Sequence, residues 1–177
     1  MTGLSFYNTY VLHWSAGLAS LDAILTKAEA HAKENGIDAD AKYVNASIYD
    51  DMKPLSFQVQ IVAAAVKMPL DNLIGKAPEW TEELKTFADL HARVKSAQEY
   101  LNSVKPEAVD GREDEVVTAL GPFSSHYPNG VSIKVFCDMF SIPNLYFHLV
   151  TAYDILRKEG VPLGKMDYLG PFLPKDK

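Results

Sequence analysis

The chain has 177 residues, of which 47% are hydrophobic and 23% are charged, as is typical of a folded globular protein. Its formal net charge of −6 and its lack of a dense Lys/Arg run argue against nucleic acid or an anionic membrane surface as a partner. Cys137 is the one cysteine in the sequence, which excludes an intrachain disulfide and a multi-cysteine zinc site.

The first predicted helix is long and begins near Leu4. Its last turn carries Lys33 and is followed by Gly36, the usual order of a cation and a glycine at a helix C-terminus. Apolar residues recur along this stretch at alternating steps of three and four, which is the spacing of a helix packed in a left-handed bundle. These residues are Leu4, Tyr7, Val11, Trp14, Leu18, Leu21, Leu25 and Ala28.

The second predicted helix follows a mixed, turn-like segment over residues 37–51, in which we expect one short helical turn near residues 42–47. It begins near Pro54, because proline is favoured in a first helical turn. We expect Pro69 to end or kink it, since proline lacks the backbone N–H that continues a helix. Its core-facing residues are Leu55, Val59, Val62 and Val66.

The third predicted helix begins at Thr81, a residue that caps helices well and is followed here by Glu82 and Glu83. Pro106 and the Asp-Gly pair at residues 110–111 mark its end. Its inner face is predicted to carry Leu84, Phe87, Leu90, Val94, Ala97 and Leu101.

The segment over residues 107–136 has a different pattern. Residues 115–120 and 131–136 are rich in β-branched residues and partly alternate, and they are separated by turn residues at 121–122 and 128–130. This pattern predicts a small hairpin or an irregular flap across one end of a bundle.

The fourth predicted helix runs from about Ile142 to Glu159 and stops at Gly160. A tail rich in glycine and proline follows it and ends in the region of Pro174. The fold is therefore predicted to be an all-α four-helix bundle with a small insertion before the last helix. The tail is expected to pack against the bundle through Tyr168, Leu169 and Phe172.

The fourth helix is the part of the sequence that points to a site. Beside its apolar line of Leu145, Leu149, Ala152 and Leu156, polar side chains occupy an adjacent line at the same spacing. Phe147 and Val150 lie elsewhere around the helix, which is therefore apolar over most of its surface and expected to be largely buried. The polar residues turned into the bundle are then Asn144, His148 and Thr151.

Two interpretations of these polar residues are open. They satisfy each other or nearby backbone groups and simply specify the packing, or they line a pocket and contact a ligand. Gln58, at the edge of the apolar face of the second helix, is placed to share the same interior space as His148.

The sequence contains no phosphate-binding loop, dinucleotide glycine pattern, nucleophile elbow or H-E-x-x-H motif.

Several stretches resemble one family. Residues 142–157, IPNLYFHLVTAYDILR, and residues 160–170, GVPLGKMDYLG, resemble the C-terminal signature of the domain of unknown function 1993. DMKPL at residues 51–55, QVQ at 58–60 and KAEA at 27–30 are also similar to that family. The resemblance spans nearly the whole chain but not residues 107–136. It implies a branch of the DinB/YfiT-like helical bundles, which are four-helix bundles and usually dimers.

The resemblance also implies a metal site, which this sequence departs from. In the wider superfamily three histidines hold a divalent metal, one from the second helix and two from an H-x-x-x-H pair on the fourth, and some members are thiol transferases or metal-dependent isomerases. Here the pair falls on Asn144 and His148, and the third position falls near Gln58. Neutral amides are weak ligands for zinc or nickel. We therefore expect a metal-free polar pocket and no cofactor.

Two functional hypotheses follow. In the first, the protein binds a small molecule between the second and fourth helices, with His148 as the catalytic acid or base and Gln58, Asn144 and Thr151 as ligand-binding residues. The chemistry within reach of these groups is cofactor-free proton transfer or isomerisation. In the second, the protein is a non-catalytic dimeric binding or interaction module whose buried polar residues are structural.

No repeat or shift in composition divides the chain, so we expect residues 1–177 to form one domain. The N-terminal residues lack a basic segment followed by an apolar stretch, and no apolar run is long enough to span a membrane. From these features and the acidic charge balance we expect a cytoplasmic protein with no nucleic-acid or membrane partner, and the family resemblance implies a homodimer.

Overall fold

The computed structural model describes residues 4–75 and 79–173, and within them the chain is mainly helical. Four long helices pack around a shared hydrophobic core: α1 (Leu12–Glu34), α2 (Leu55–Ile74), α3 (Phe87–Asn102) and α6 (Ile142–Lys158). Helix α1 packs against α3 and α6, and α2 packs against the same two. The predicted all-α four-helix bundle is confirmed. In chain order the elements are α1 Leu12–Glu34, α2 Leu55–Ile74, α3 Phe87–Asn102, α4 Pro106–Val109, β1 Val116–Val117, β2 Val131–Ser132, α5 Ile133–Phe136, α6 Ile142–Lys158 and α7 Lys165–Leu169.

The start of the first helix differs from its predicted apolar line. A π-helical turn, Tyr7–Val11, precedes α1, and a π-helical turn holds one more residue than an α-helical turn. The spacing of three and four therefore loses its phase here, and Leu4 is 99% exposed, so its predicted place in the core is wrong. From Val11 to Ala28 the predicted residues of the apolar line are buried.

Pro69 neither ends nor interrupts the second helix, which continues to Ile74. Proline at this position leaves the carbonyl of Ala65, four residues earlier, without its helical N–H donor. The hydroxyl of Ser141 donates to that carbonyl over 2.7 Å, and the indole N–H of Trp14 donates to the same hydroxyl oxygen over 3.1 Å. A buried side chain from another part of the chain thus replaces the missing backbone donor, and the predicted end of the helix at Pro69 is wrong.

The third helix begins at Phe87, six residues after the predicted start at Thr81. The cap is Thr86, whose hydroxyl accepts from the backbone N–H of Asp89 while the Asp89 carboxylate accepts from the N–H of Thr86. This reciprocal capping box satisfies two N–H groups that have no partner inside the helix, so it is a stronger start signal than Thr81. Leu84 therefore lies outside the helix, whereas the other predicted inner residues are buried: Phe87, Leu90, Val94, Ala97 and Leu101.

The insertion before the last helix contains a very short hairpin, in agreement with one of the two predicted forms. Val116 pairs with Ser132 and Val117 with Val131 in an antiparallel arrangement. Residues 133–136, predicted as part of a strand, are instead the helix α5. The hydroxyl of Ser132 caps it, and its two buried residues, Ile133 and Phe136, are three positions apart, as on one face of a helix.

The last helix and the tail agree with the predicted bounds. A π-helical turn, Cys137–Ser141, connects α5 to α6, which ends at Lys158. The tail forms α7 and packs on α1: the hydroxyl of Ser20 donates to the carbonyl of Tyr168 over 2.8 Å, and Lys27 lies 2.7 Å from Asp167. Pro174 lies outside the described residues. None of the described helices combines the length and the apolar character that crossing a membrane requires.

Candidate functional site

The site is built where α2 and α6 pack against each other. Gln58 on α2 is 2% exposed, and His148 on α6 is half-buried. Nδ1 of His148 lies 2.6 Å from Oε1 of Gln58, and Nε2 of Gln58 donates to the backbone carbonyl of Lys53 over 2.8 Å. The three groups form one chain of hydrogen bonds that reaches from α6 to the start of α2.

This chain of hydrogen bonds determines which nitrogen of His148 carries the proton. The carbonyl of Lys53 can only accept a hydrogen bond, so the amide NH₂ of Gln58 must face it. The amide oxygen then faces His148, and because that oxygen can also only accept, Nδ1 must be the donor. In the neutral imidazole Nε2 is then unprotonated, with its lone pair free to accept a hydrogen bond or a proton.

Burial keeps His148 in this neutral form. The imidazole contacts the ring of Phe57 at a centroid distance of 5.9 Å and that of Phe147 at 5.1 Å, both edge to face. Loss of solvent lowers the pKa of His148 below its ordinary value, because the charged form is the one that water stabilises. At neutral pH the side chain is thus a base rather than a cation.

A cavity of about 270 Å³ opens beside this imidazole. Its polar lining residues in the described part of the chain are Asn144 and His148, one helical turn apart on α6. Nε2 of His148 makes no hydrogen bond to the described residues and is not fully buried, so it keeps accessible surface. The remaining lining residues are apolar: Phe57, Ile61, Ala64, Ala65, Met68, Pro122, Phe123 and Phe140.

The four site residues predicted from the sequence take three different positions. His148 and Asn144 line the cavity, whereas Gln58 lies behind the imidazole and binds it. Thr151 is 7% exposed and its hydroxyl donates to the carbonyl of Phe147, four residues earlier in the same helix, over 2.7 Å. Thr151 therefore directs its polar group to its own backbone.

Sequence reasoning missed the aromatic part of the lining. Phe57 is next to Gln58 in the sequence, and that adjacency is the one signal that could have indicated it. Phe123 comes from a 3₁₀ turn in the insertion and Phe140 from the π-helical turn that follows it, both far from Gln58 in the chain. Their place beside His148 follows from how the insertion folds over the end of α2.

The expectation that α6 is buried over most of its surface is wrong. Phe147 is 62% exposed and Val150 is 43% exposed, so the outer face of the helix presents large apolar groups to solvent. The predicted inner line of Leu145, Leu149, Ala152 and Leu156 is buried.

The residues present do not fit the three-histidine metal site that the family resemblance implies. Of the three positions His148 alone carries an imidazole, Gln58 has its amide oxygen engaged by Nδ1–H, and Asn144 offers a neutral amide. Among residues 4–75 and 79–173, no three His, Cys, Asp or Glu side chains lie close enough together to hold a metal ion.

Comparison with known proteins agrees with this architecture. The family described as "Domain of unknown function (DUF1993)" matches residues 6–169. The crystal structure of a DinB family member protein from Shewanella denitrificans is similar with a TM-score of 0.83 and 32% sequence identity, covering 97% of this chain and 94% of that chain. No curated protein matches the chain significantly. The chain belongs to the DUF1993 family and has a helical, DinB-like fold.

Proposed function

We propose that the protein binds a small molecule in the cavity between α2 and α6, and that Nε2 of His148 accepts a hydrogen bond or a proton from it. The observation that carries the proposal is the contact between Nδ1 of His148 and Oε1 of Gln58 at 2.6 Å. This contact fixes the tautomer and leaves the Nε2 lone pair on the accessible side of the ring. Asn144, one turn away on the same lining, supplies an amide that orients a carbonyl or hydroxyl group.

These groups suit proton transfer or isomerisation without a cofactor. A neutral imidazole of lowered pKa can remove a proton from carbon next to a carbonyl, and a well-placed base contributes about 10²–10⁴-fold to such a step. The amide N–H of Asn144 can donate to the oxygen on which negative charge develops. The apolar lining strengthens both interactions because it lowers the local dielectric constant.

The test is a ligand screen by thermal shift followed by variants at the site. A metabolite library is screened for compounds that raise the melting temperature, since a ligand of the folded state alone stabilises it. His148→Ala and Asn144→Ala are expected to abolish the shift, whereas Thr151→Val, which loses a hydroxyl bonded to its own helix, retains it. A folded His148→Ala protein that still binds or turns over the hit compound would overturn the proposal.

The proposed site works without a metal. One imidazole and two amides bind zinc or nickel weakly, and one of those amides already accepts a hydrogen bond from the imidazole N–H. Metal analysis of protein purified without a histidine tag is expected to give well below one equivalent. Near-stoichiometric zinc or nickel would contradict this.

We also propose that the protein is a cytoplasmic homodimer. Phe147 and Val150 lie one turn apart on the outer face of α6, and Met139 on the preceding turn is 74% exposed. Exposed apolar groups of this size support an interface, and a two-fold axis would place the same face of a second copy against it. Light scattering after gel filtration is expected to give a dimer for the native protein and a monomer for Phe147→Glu. A native monomer would overturn the proposal.

A non-catalytic interaction module is the second candidate function. It is favoured by the fact that the hydrogen-bond chain from His148 through Gln58 to Lys53 uses protein atoms alone and links α6 to the start of α2. In that case the cavity needs no occupant. His148→Ala would then change the melting temperature of the protein, and no compound would shift the melting temperature of the native protein. The thermal-shift screen with the Thr151→Val control separates the two candidates.

A further inference from the structure

A second cavity lies next to the one that contains His148. It encloses about 130 Å³ beneath the short hairpin. It is lined by Leu120, Phe123, Tyr127, Val131, Val135, Phe136, Met139 and Phe140, and so is almost entirely apolar. Four of these side chains also keep much of their surface exposed, Phe123, Tyr127, Val135 and Met139, which is unusual for aromatic and aliphatic residues grouped around one opening.

Two residues line both cavities. The rings of Phe123 and Phe140 contact each other with their centroids 4.2 Å apart, and each borders the space beside His148 as well as the space beneath the hairpin. One layer of side chains thus separates the two cavities. Phe123 lies in a 3₁₀ turn and is 36% exposed, so its ring has room to change rotamer and join them.

Polarity is distributed unevenly over the two cavities. Asn144 and His148 are at one end, and neither cavity has a Lys, Arg, Asp or Glu among its lining residues in the described chain. A charged ligand group would find no counter-charge there and would lose its hydration. The end with Asn144 and His148 is therefore suited to a neutral polar group, and the far end to hydrocarbon.

We propose that the ligand of this site is amphipathic, with an uncharged carbonyl or hydroxyl at His148 and Asn144 and an unbranched apolar tail that passes Phe123 and Phe140 into the second cavity. The inference rests on the proposed function for its polar end. The apolar tail of the ligand is supported independently, because the two cavities share Phe123 and Phe140 and neither has a charged lining residue in the described chain.

The test is a chain-length series of methyl ketones measured by titration calorimetry. Each methylene that leaves water for an apolar site strengthens binding by about fourfold, so affinity should rise steadily from about six to about twelve carbons and then level off. Val135→Trp fills the second cavity from its rim and should stop the rise at short chains without changing the affinity of the shortest ketone. Val116→Trp, at a valine of the same hairpin that is 66% exposed and lines neither cavity, is the matched control and should follow the native protein.

The outcomes separate this inference from the proposed function. If a short ketone binds the native protein but not His148→Ala, and affinity does not depend on chain length, the proposed site is supported and the proposed ligand tail is overturned. An identical rise with chain length in Val135→Trp and the native protein also overturns the tail. An affinity that rises with ketone chain length but is the same in His148→Ala overturns the polar end of the proposal. No binding at any chain length overturns both the polar end and the tail.

Discussion

The Nδ1–H of His148 donates to Oε1 of Gln58 across 2.6 Å, and Gln58 in turn is held by the carbonyl of Lys53. The direction of these bonds follows from the chemistry of the carbonyl, which has no proton to give. His148 therefore holds Nε2 unprotonated and accessible, whereas an imidazole in water exchanges between two tautomers. A backbone group at the start of α2 thus decides the chemistry available on α6.

Gln58→Leu is expected to remove this control. The substitution leaves both the imidazole N–H and the carbonyl of Lys53 without a partner, which costs about 1–3 kcal/mol of unfolding free energy. Long-range ¹⁵N NMR should show the Nδ1-protonated form of His148 in the native protein and a mixture of tautomers in the variant. Gln60→Leu, at an exposed position of the same helix, should change neither the spectrum nor the urea midpoint. A native protein with Nε2 protonated would contradict the assignment.

Stability is expected to fall as the pH drops below about 6.5, with His148 as one cause. Burial lowers its pKa in the folded chain, so between that lowered pKa and about 6.5 the unfolded chain binds the extra proton. The contribution of His148 is complete above this window, falls as pH decreases through it and is constant below it. Urea unfolding of the native protein and His148→Gln from pH 7 to pH 5 should show a smaller loss in the variant. Equal slopes would contradict the prediction.

Ser141 and Pro69 are expected to be coupled energetically. Ser141→Ala leaves the carbonyl of Ala65 and the indole N–H of Trp14 unpaired in the core, at a cost of about 1–3 kcal/mol for each group. Pro69→Ala restores a backbone donor to Ala65, so it should stabilise the Ser141→Ala protein more than it stabilises the native one. A double-mutant cycle in urea measures the difference. Strictly additive effects would show that Ser141 does not compensate for the proline.

Thr86→Ala is expected to destabilise the protein by about 1 kcal/mol. It removes the hydroxyl that accepts from the N–H of Asp89 at the first turn of α3. Thr81→Ala should change the unfolding free energy by no more than about 0.5 kcal/mol, because that residue is exposed and precedes the helix. Thermal and urea unfolding of the two variants check this, and a larger effect at Thr81 would favour the earlier start.

Gly17→Ala is expected to destabilise the contact between α1 and α6. A Cβ at this position would lie 2.8 Å from Cδ2 of Leu145, and overpacking of this kind costs about 1–3 kcal/mol. Alanine also favours a helix by about 1 kcal/mol over glycine, so the net loss of stability is about 0–2 kcal/mol. In a Leu145→Ala background the clash is gone, so the same change should be neutral or stabilising. Destabilisation of equal size in both backgrounds would locate its cause elsewhere than at Leu145.

The sequence predicted the four helices because each carries a local signal of its own. The apolar residues from Val11 to Ala28 and from Leu145 to Leu156 repeat with the period of a helix, and they are buried. Where two local signals competed, as at Thr81 and Thr86, the one with a reciprocal partner three residues later determined the start. The capping box at Thr86 was present in the sequence and was missed.

The candidate site could be predicted in part. His148, Asn144 and Gln58 were identified because they interrupt or border apolar lines on two helices. Which atoms they present could not be predicted, because Gln58 is oriented by a backbone carbonyl and His148 by Gln58. The exposure of Phe147 was equally beyond reach, since a helical pattern shows that a residue is apolar but not whether another element covers it.

The sequence alone thus determined the helical period, the starts of α2 and α6 to within about one residue, and three polar residues of the candidate site, Gln58, Asn144 and His148. Tertiary structure alone decided that α2 continues through Pro69, that His148 offers Nε2, and that Phe123 and Phe140 border the same space as His148. The physical reason is the distance along the sequence between the residues that interact. Helical periodicity and caps act between residues up to four positions apart, whereas the donor for Ala65 and the walls of the cavity come from segments dozens of residues away, which meet only when the bundle is packed.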